Sequence, residues 1–71
     1  MKEVDMQIRL NGQPYTLAES ASIVDLLQQL DLTGKRLAVE INEEIIPKSR
    51  HAATLLQAND QVEIVHAIGG G

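Results

Sequence analysis

The strongest constraint on this 71-residue chain is a hairpin signal near its N-terminus. The stretch from Met6 to Leu10 alternates apolar and polar residues, as a half-buried strand does, and Asn11-Gly12 follows it directly. An Asn-Gly pair suits the two positive-φ positions of a type I′ turn between antiparallel strands. We therefore predict a second strand over residues 15–17, with Pro14 at its start or on a sheet edge because proline cannot donate to a ladder.

One helix is expected after the hairpin. Ser22 is the best N-cap, and Asp25 three residues later makes a short variant of the capping box. Apolar residues then follow at the spacing of a single helix face, and they are Ile23, Leu26, Leu27 and Leu30. Gly34 is predicted to end the helix, and the basic pair Lys35-Arg36 is interpreted as part of a solvated loop.

Three further strands are predicted in the second half of the chain. The first covers Leu37 to Ile41, a turn follows at residues 42–44, and Ile45-Ile46 forms a short strand. Residues 48–56 are expected to form a loop with one helical turn around 52–55, and residues 59–60 to form a turn. The last strand covers residues 61–66, with Val62 and Ile64 on one face.

This order of elements predicts an α+β protein. A hairpin cannot bury its own apolar face, so the one main helix must cover one face of the sheet. With the first and last strands paired in the centre, the sheet is mixed, which is the arrangement of a β-grasp (ubiquitin-like) fold. The core must be aliphatic because Tyr15 is the only aromatic residue. Residues 1–71 are expected to form a single domain.

The chain ends in Ala67-Ile68-Gly69-Gly70-Gly71, and residues 67–71 are expected to form a flexible tail. Glycine adds no packing and costs the most entropy to order. Five extended residues reach about 17 Å, so this segment can carry its terminal carboxylate into a narrow active site of another protein. A frayed terminus is the ordinary explanation of such an end, and the rest of the chain is needed to decide between the two.

Composition narrows the possible partners. A net charge of −4 and a single aromatic residue argue against nucleic acid, whose binding needs clustered basic residues and stacking surfaces. The apolar runs are too short to span a bilayer, and without cysteine we expect a cytoplasmic protein. The acidic balance favours a partner with a basic docking surface. Val65 is the one clear apolar residue on the predicted outer face of the sheet.

Other candidate sites have simpler explanations. His51 and His66 have no cysteine or clustered carboxylate beside them in the sequence, so we predict no metal site and interpret both as surface or sheet-edge residues. Glu43-Glu44 is interpreted as a solvated turn rather than an acid–base pair, and Ser22 as a helix cap rather than a nucleophile. We therefore predict no catalytic residue and no bound cofactor.

Several stretches resemble the sulfur carrier proteins of thiamine biosynthesis, the ThiS family. They are Met6–Gly12, Ile23–Leu27, Ala38–Asn42 with Ile45–Pro47, and Asn59–Gly71, so the resemblance covers Met6 to Gly71. It implies that Gly70-Gly71 is the functional pair and that Gly69 is an allowed neighbour. Met1–Asp5 is an extension, or the product of an upstream start codon, with no assigned role.

The resemblance also implies a chemistry. An adenylating enzyme of the ThiF type would use ATP to convert the Gly71 carboxylate into an acyl-adenylate. Sulfur from a cysteine desulfurase or another persulfide donor would replace AMP to give a thiocarboxylate, and a thiazole synthase of the ThiG type would receive that sulfur. This chain would be a substrate and carrier rather than an enzyme, with Gly70 and Gly71 entering the active sites of its partners.

Three alternatives stay open. The small subunit of molybdopterin synthase shares the fold, the tail and the activation chemistry, although Val65-His66-Ala67-Ile68 before the glycines favours thiamine. A ubiquitin-like modifier would use the same carboxylate to form isopeptide bonds with lysines. A plain β-grasp interaction module would tolerate the loss of Gly70-Gly71.

Overall fold

The computed structural model describes residues 4–66, which form five strands, one α-helix and one 3-10 helix. The strands are β1 (Asp5–Leu10), β2 (Gln13–Ala18), β3 (Leu37–Ile41), β4 (Glu44–Ile46) and β5 (Gln61–His66); the helix α1 is Ile23–Gln29 and the 3-10 helix is Lys48–Arg50. The strand order is β2-β1-β5-β3-β4. The strands β1 and β5 pair in parallel and the other neighbours pair antiparallel, so the predicted mixed sheet with its first and last strands in the centre is confirmed.

The first hairpin forms where Asn11-Gly12 predicts it. The two residues have φ values of 51° and 84°, as a type I′ turn requires, and the register pairs Leu10 with Gln13. The strand β2 therefore begins at Gln13 rather than at Tyr15. It lies at the sheet edge, where the missing N–H of Pro14 is tolerated.

A second turn of the same type joins β3 to β4. Asn42 and Glu43 have φ values of 51° and 72°, and Ile41 pairs directly with Glu44. Glu44 therefore belongs to β4, and the prediction that placed it in the turn is wrong. A glutamate at positive φ is an unfavourable choice for this turn, which explains why the sequence does not reveal the two-residue connection.

The start of α1 is confirmed. Ser22 Oγ accepts a hydrogen bond from the Asp25 N–H at 3.1 Å, and the Asp25 carboxylate accepts one from the Ser22 N–H at 2.9 Å. This reciprocal pair is the predicted capping box. The predicted apolar stripe is also confirmed, because Ile23, Leu26 and Leu27 are buried and Leu30 packs against the core.

The end of α1 differs from the prediction, since the helix stops at Gln29 and not before Gly34. Asp31 follows the cap with φ 60°, and the Leu32 N–H donates to the Leu27 carbonyl at 2.8 Å. This is the long bond of a Schellman cap, with aspartate in the left-handed position that glycine normally occupies. Gly34, at φ 83°, lies in the turn after the cap.

The core between α1 and the sheet is aliphatic, as predicted. Its most deeply buried large side chains are Ile8, Leu17, Ile23, Leu26, Val39 and Val62. Strand alternation places Val62 and Ile64 on the face toward this core, which confirms the predicted face of the last strand. Within residues 4–66, no helix is long and apolar enough to cross a membrane.

The connection from β4 to β5 was predicted less well. Its 3-10 helix covers Lys48–Arg50, ahead of the helical turn expected at 52–55. The turn before β5 is closed between residues 57 and 60, whose backbones are joined by a 3.1 Å hydrogen bond. The Leu56 N–H donates to the Ala21 carbonyl at 2.8 Å, so the connection is tied to the start of α1 by contacts that a local pattern does not specify.

Replacing Asp31 by glycine is expected to raise the free energy of unfolding by about 0.5–1 kcal/mol. Asp31 holds a positive φ, which strains a residue with a Cβ, and its carboxylate lies at the negative end of the helix dipole. Urea denaturation measures the change. Asp31→Asn is the control, because it removes the charge while asparagine tolerates the conformation. An Asp31→Gly protein that is no more stable than the parent would contradict this account of the cap.

Candidate functional site

The candidate site is the C-terminal end of β5, because the predicted functional residues follow that strand. Gly70 and Gly71, with the rest of the 67–71 tail, lie outside the described residues, so the flexible tail stays a prediction. His66 is the last described residue and is exposed. The structure therefore defines the base from which the tail sequence starts.

The two sides of β5 are held differently. On the β3 side, the pairing runs from Ile41 with Val62 to Leu37 with His66, the last residue of the strand. On the β1 side, the parallel register covers Arg9 with Gln61 and Leu10 with Val62. The backbone of β1 then turns away into its hairpin, and among residues 4–66 no backbone segment pairs with the second half of β5 on that side.

Two asparagine side chains extend the ladders of β5. Asn11 Oδ1 accepts from the Ile64 N–H at 2.9 Å, and its Nδ2 donates to the Ile64 carbonyl at 3.3 Å. At the opposite end, Asn42 Oδ1 accepts from the Gln61 N–H at 3.0 Å, and its Nδ2 donates to Asp60 Oδ1 at 3.1 Å. Both asparagines therefore bind β5 as well as opening a turn.

These side-chain contacts were not predicted from the sequence. Asn11 and Ile64 are 53 residues apart in the sequence, and the turn signal alone accounted for Asn11. The remaining signal is the chemistry of the side chain, since an amide carries both a donor and an acceptor and can pair with a strand edge. That signal becomes specific only when the neighbouring strand is known.

The face of the sheet turned away from α1 carries a contiguous patch, called here the outer-face patch, formed by Ala38, Glu40, Ile45, Glu63 and Val65. Ile45 and Val65 are 64% and 55% exposed. Ala38 pairs with Val65, and Glu40 lies between Glu63 on one side and Ile45 on the other. Sequence reasoning found Val65 alone, because the other members join it only through the strand register.

The centre of the outer-face patch is acidic. Glu40 and Glu63 are directly opposite each other on β3 and β5, and Glu43 and Gln61 line the same surface depression. Like charges at directly opposed positions destabilise a sheet. The same charges favour the approach of a partner whose docking surface is basic.

The two histidines occupy different environments. His51 is 5% exposed, and its Nε2 lies 3.0 Å from the Ile46 carbonyl oxygen, so its interpretation as a surface or sheet-edge residue is wrong. The 3-10 helix at residues 48–50 turns the chain back and places the ring against β4. His66 is exposed at the end of β5, and Glu43 and Glu44 are exposed as expected.

In the part of the chain that the structure describes, no group of three or more His, Cys, Asp or Glu side chains is arranged to hold a metal ion. The one buried histidine, His51, contacts a backbone carbonyl, and the carboxylates of Glu40 and Glu63 lie on the opposite face of the sheet from the core.

Residues 4–66 form a five-stranded mixed sheet covered by one α-helix, and the central strand leads into a glycine-rich sequence. This arrangement defines a β-grasp protein of the ubiquitin-like class. The model of the ThiS family matches residues 8–71. The chain belongs to the ThiS family, and the resemblance predicted from its sequence is confirmed.

Individual relatives agree with this assignment. The chain is 40% identical over 65 residues to the sulfur carrier protein ThiS of Bacillus subtilis, covering 90% of this chain and 98% of that protein. It matches the crystal structure of the thiamine biosynthesis protein ThiS of Geobacter metallireducens with a TM-score of 0.82 at 33% identity, covering 93% of this chain and 100% of that one. It is also 38% identical over 66 residues to a thiazole synthase of Magnetococcus marinus, of which it spans 20% of the length.

Glu63→Gln is expected to raise the free energy of unfolding by about 0.2–1 kcal/mol at low salt. The change removes one of two carboxylates that face each other across β3 and β5, and the gain should shrink at high salt because the repulsion is screened. Urea denaturation at both salt concentrations measures it. Glu44→Gln is the matched control, since Glu44 faces Ile41 and its replacement should give no such gain. Equal stabilities of Glu63→Gln and the parent at low salt would refute the repulsion.

Proposed function

We propose that this protein is a sulfur carrier that delivers sulfur to a thiazole synthase in thiamine biosynthesis, as a thiocarboxylate at Gly71. The observation that carries the proposal is the family match, which extends over residues 8–71. The fold supports it, because the strand that leads into residues 67–71 is the central strand of the sheet. A rigid strand is a suitable base for a segment that must enter other proteins.

The proposed chemistry begins at the Gly71 carboxylate, which is a poor acyl donor because its leaving group is poor. In an adenylating enzyme of the ThiF type, a carboxylate oxygen attacks the α-phosphorus of ATP, releases pyrophosphate and forms an acyl-adenylate. The terminal sulfur of a persulfide then attacks the carbonyl carbon and displaces AMP. A thiol cleaves the S–S bond of the resulting acyl disulfide and leaves the thiocarboxylate.

In this scheme the chain is a substrate and carrier, and its partners supply the catalysis. The adenylating enzyme consumes ATP, and a cysteine desulfurase or another donor provides the persulfide. The thiazole synthase partner is supported by the Magnetococcus marinus protein of that name, one part of which is similar to this chain. The proposed location is the cytoplasm, where ATP is available.

The outer-face patch is the proposed docking surface for the adenylating enzyme. Its exposed apolar side chains, Ile45 and Val65, would be covered by the partner, and Glu40 and Glu63 would face basic side chains that complement them. The patch reaches Val65, next to the last described residue of β5. With the folded domain docked there, Gly70 and Gly71 would reach the active site as part of an already bound protein. Such positioning supplies much of the rate enhancement of the adenylation step.

Deleting Gly71 is expected to abolish thiocarboxylate formation without changing thermal stability, because the change lies outside the contacts described for residues 4–66. The test is the intact mass of the protein after incubation with ATP, a sulfur source and the adenylating enzyme. Replacement of one oxygen by sulfur, mapped to Gly71, is the expected result for the parent chain. An unmodified parent with an enzyme proven on another carrier would refute the proposal, and a series of higher-mass conjugates would identify a modifier instead.

Val65→Asp is expected to raise the KM for the carrier in adenylation about tenfold or more, because it places a charge in the apolar part of the docking surface. Its effect on stability should be small, since Val65 is 55% exposed. Val4→Asp is the matched control: Val4 is 54% exposed but precedes β1, whose parallel alignment with β5 puts it at the opposite end of the sheet. Equal KM values for the two variants would exclude the outer-face patch as the docking surface.

A further inference from the structure

We propose that Asn11 is a positioning residue for the reactive tail, because its side chain fixes the last part of β5 before residues 67–71. The inference rests on the proposed function and adds to it a residue outside the tail and outside the outer-face patch. It is carried by the two hydrogen bonds between the Asn11 amide and the Ile64 backbone.

The Asn11 side chain takes the place of a missing peptide group. The parallel ladder of β1 and β5 includes hydrogen bonds from the Arg9 N–H to the Asp60 carbonyl at 2.9 Å and from the Asn11 N–H to the Val62 carbonyl at 2.8 Å. The backbone after Asn11 cannot supply the next rung, because its positive φ turns the chain into the hairpin. A primary amide has the C=O and N–H groups of a peptide, and this one pairs with both groups of Ile64.

The Asn11 contact matters for the tail because Ile64 lies near the C-terminal end of β5. Within residues 4–66, the pairing of β5 beyond Ile64 continues on the β3 side, where Val65 pairs with Ala38 and His66 with Leu37. Among residues 4–66, the Asn11 contact is thus the last hydrogen-bonded contact of β5 on the β1 side before residues 67–71. A strand end that is held on one side opens locally at a lower free energy than one held on both sides.

Loss of the Asn11–Ile64 hydrogen bonds should affect the adenylation step rather than docking. With the Ile64 N–H and carbonyl bonded to water, residues 65–66 would separate from β3 more often, and the tail would start from a variable direction. A docked body would then present Gly71 to the active site for a smaller fraction of the time, which lowers kcat. The KM for the carrier should stay unchanged, because the outer-face patch is not altered.

Asn42 is a matched internal control for Asn11. Each asparagine opens a two-residue turn with φ 51°, and each makes two side-chain hydrogen bonds. Asn11 makes both with the β5 backbone, whereas Asn42 makes one with the β5 backbone and one with the Asp60 side chain. Asn42 binds Gln61, at the start of the strand, whereas Asn11 binds Ile64, near its end. Glycine accepts positive φ, so Asn11→Gly and Asn42→Gly both keep their turns and lose only the side-chain contacts.

The experiment compares the full-length parent, Asn11→Gly and Asn42→Gly in carrier-dependent ATP–pyrophosphate exchange by a ThiF-type enzyme, together with amide hydrogen exchange. Asn11→Gly should lower kcat about two- to tenfold, the range set by one net hydrogen bond, with KM unchanged and faster exchange at Ile64 and Val65. Asn42→Gly should lose similar thermal stability and exchange faster at Gln61, with kcat and KM unchanged. Asn11→Asp, which keeps the acceptor for the Ile64 N–H, should recover part of kcat.

Equal kcat values for Asn11→Gly and Asn42→Gly would overturn the inference, since the effect would then follow stability alone. A raised KM with unchanged kcat in Asn11→Gly would also overturn it, because it would assign Asn11 to docking. Failure of the proposed function gives a different result, namely that the parent itself supports no exchange of pyrophosphate. In that case the hydrogen exchange decides, and unchanged protection of Val65 in Asn11→Gly would overturn the anchoring role.

Discussion

The parallel pairing of β1 with β5 is the contact on which the rest of the structure depends. It joins Arg9 to Gln61 and Leu10 to Val62, residues from opposite ends of the chain. Without it, the β1–β2 hairpin and the β5–β3–β4 group would be separate small sheets, and neither would cover α1. The pairing closes a loop of about fifty residues, and the entropic cost of loop closure grows slowly with loop length. Burial of Ile8 and Val62 beneath the helix offsets this cost.

The two faces of this sheet differ in composition and in their effect on stability. The inner face is aliphatic and is covered by α1, so it supplies the stability of a small domain. The outer face opposes Glu40 to Glu63, which lowers stability in the free protein. It also exposes Ile45 and Val65, as interaction surfaces do. Both features become favourable when a basic and partly apolar surface covers them. The proposed carrier function gives this face such partners, and β5, which carries Glu63 and Val65, is the strand that leads into residues 67–71.

Local patterns predicted the elements whose determinants are local. The Asn11-Gly12 turn, the Ser22 cap and the alternation of the last strand were confirmed because each depends on residues within a few positions. The end of α1 was predicted wrongly at Gly34, since Leu32 packs against the core and forces the preceding Asp31 into the left-handed conformation that glycine would normally adopt. The turn predicted at residues 42–44 was one residue too long for a similar reason. Contacts of Asn42 with Asp60 and Gln61 support a two-residue turn that Glu43 alone disfavours.

The sequence by itself determined the class of fold, the aliphatic core, the family and the residues proposed for the chemistry, Gly70 and Gly71. These follow from alternation, helical spacing and a resemblance that covers the chain from Met6 onward. The tertiary structure decided which side chains meet: Asn11 with Ile64, Glu40 with Glu63, and the ring of His51 with the Ile46 carbonyl. The physical reason is that alternation assigns each residue to a face of its strand, whereas its partner depends on the register between strands. Tight turns set the register within the two hairpins, whereas the register of β5 with β1 and β3 depends on packing of the whole sheet against α1.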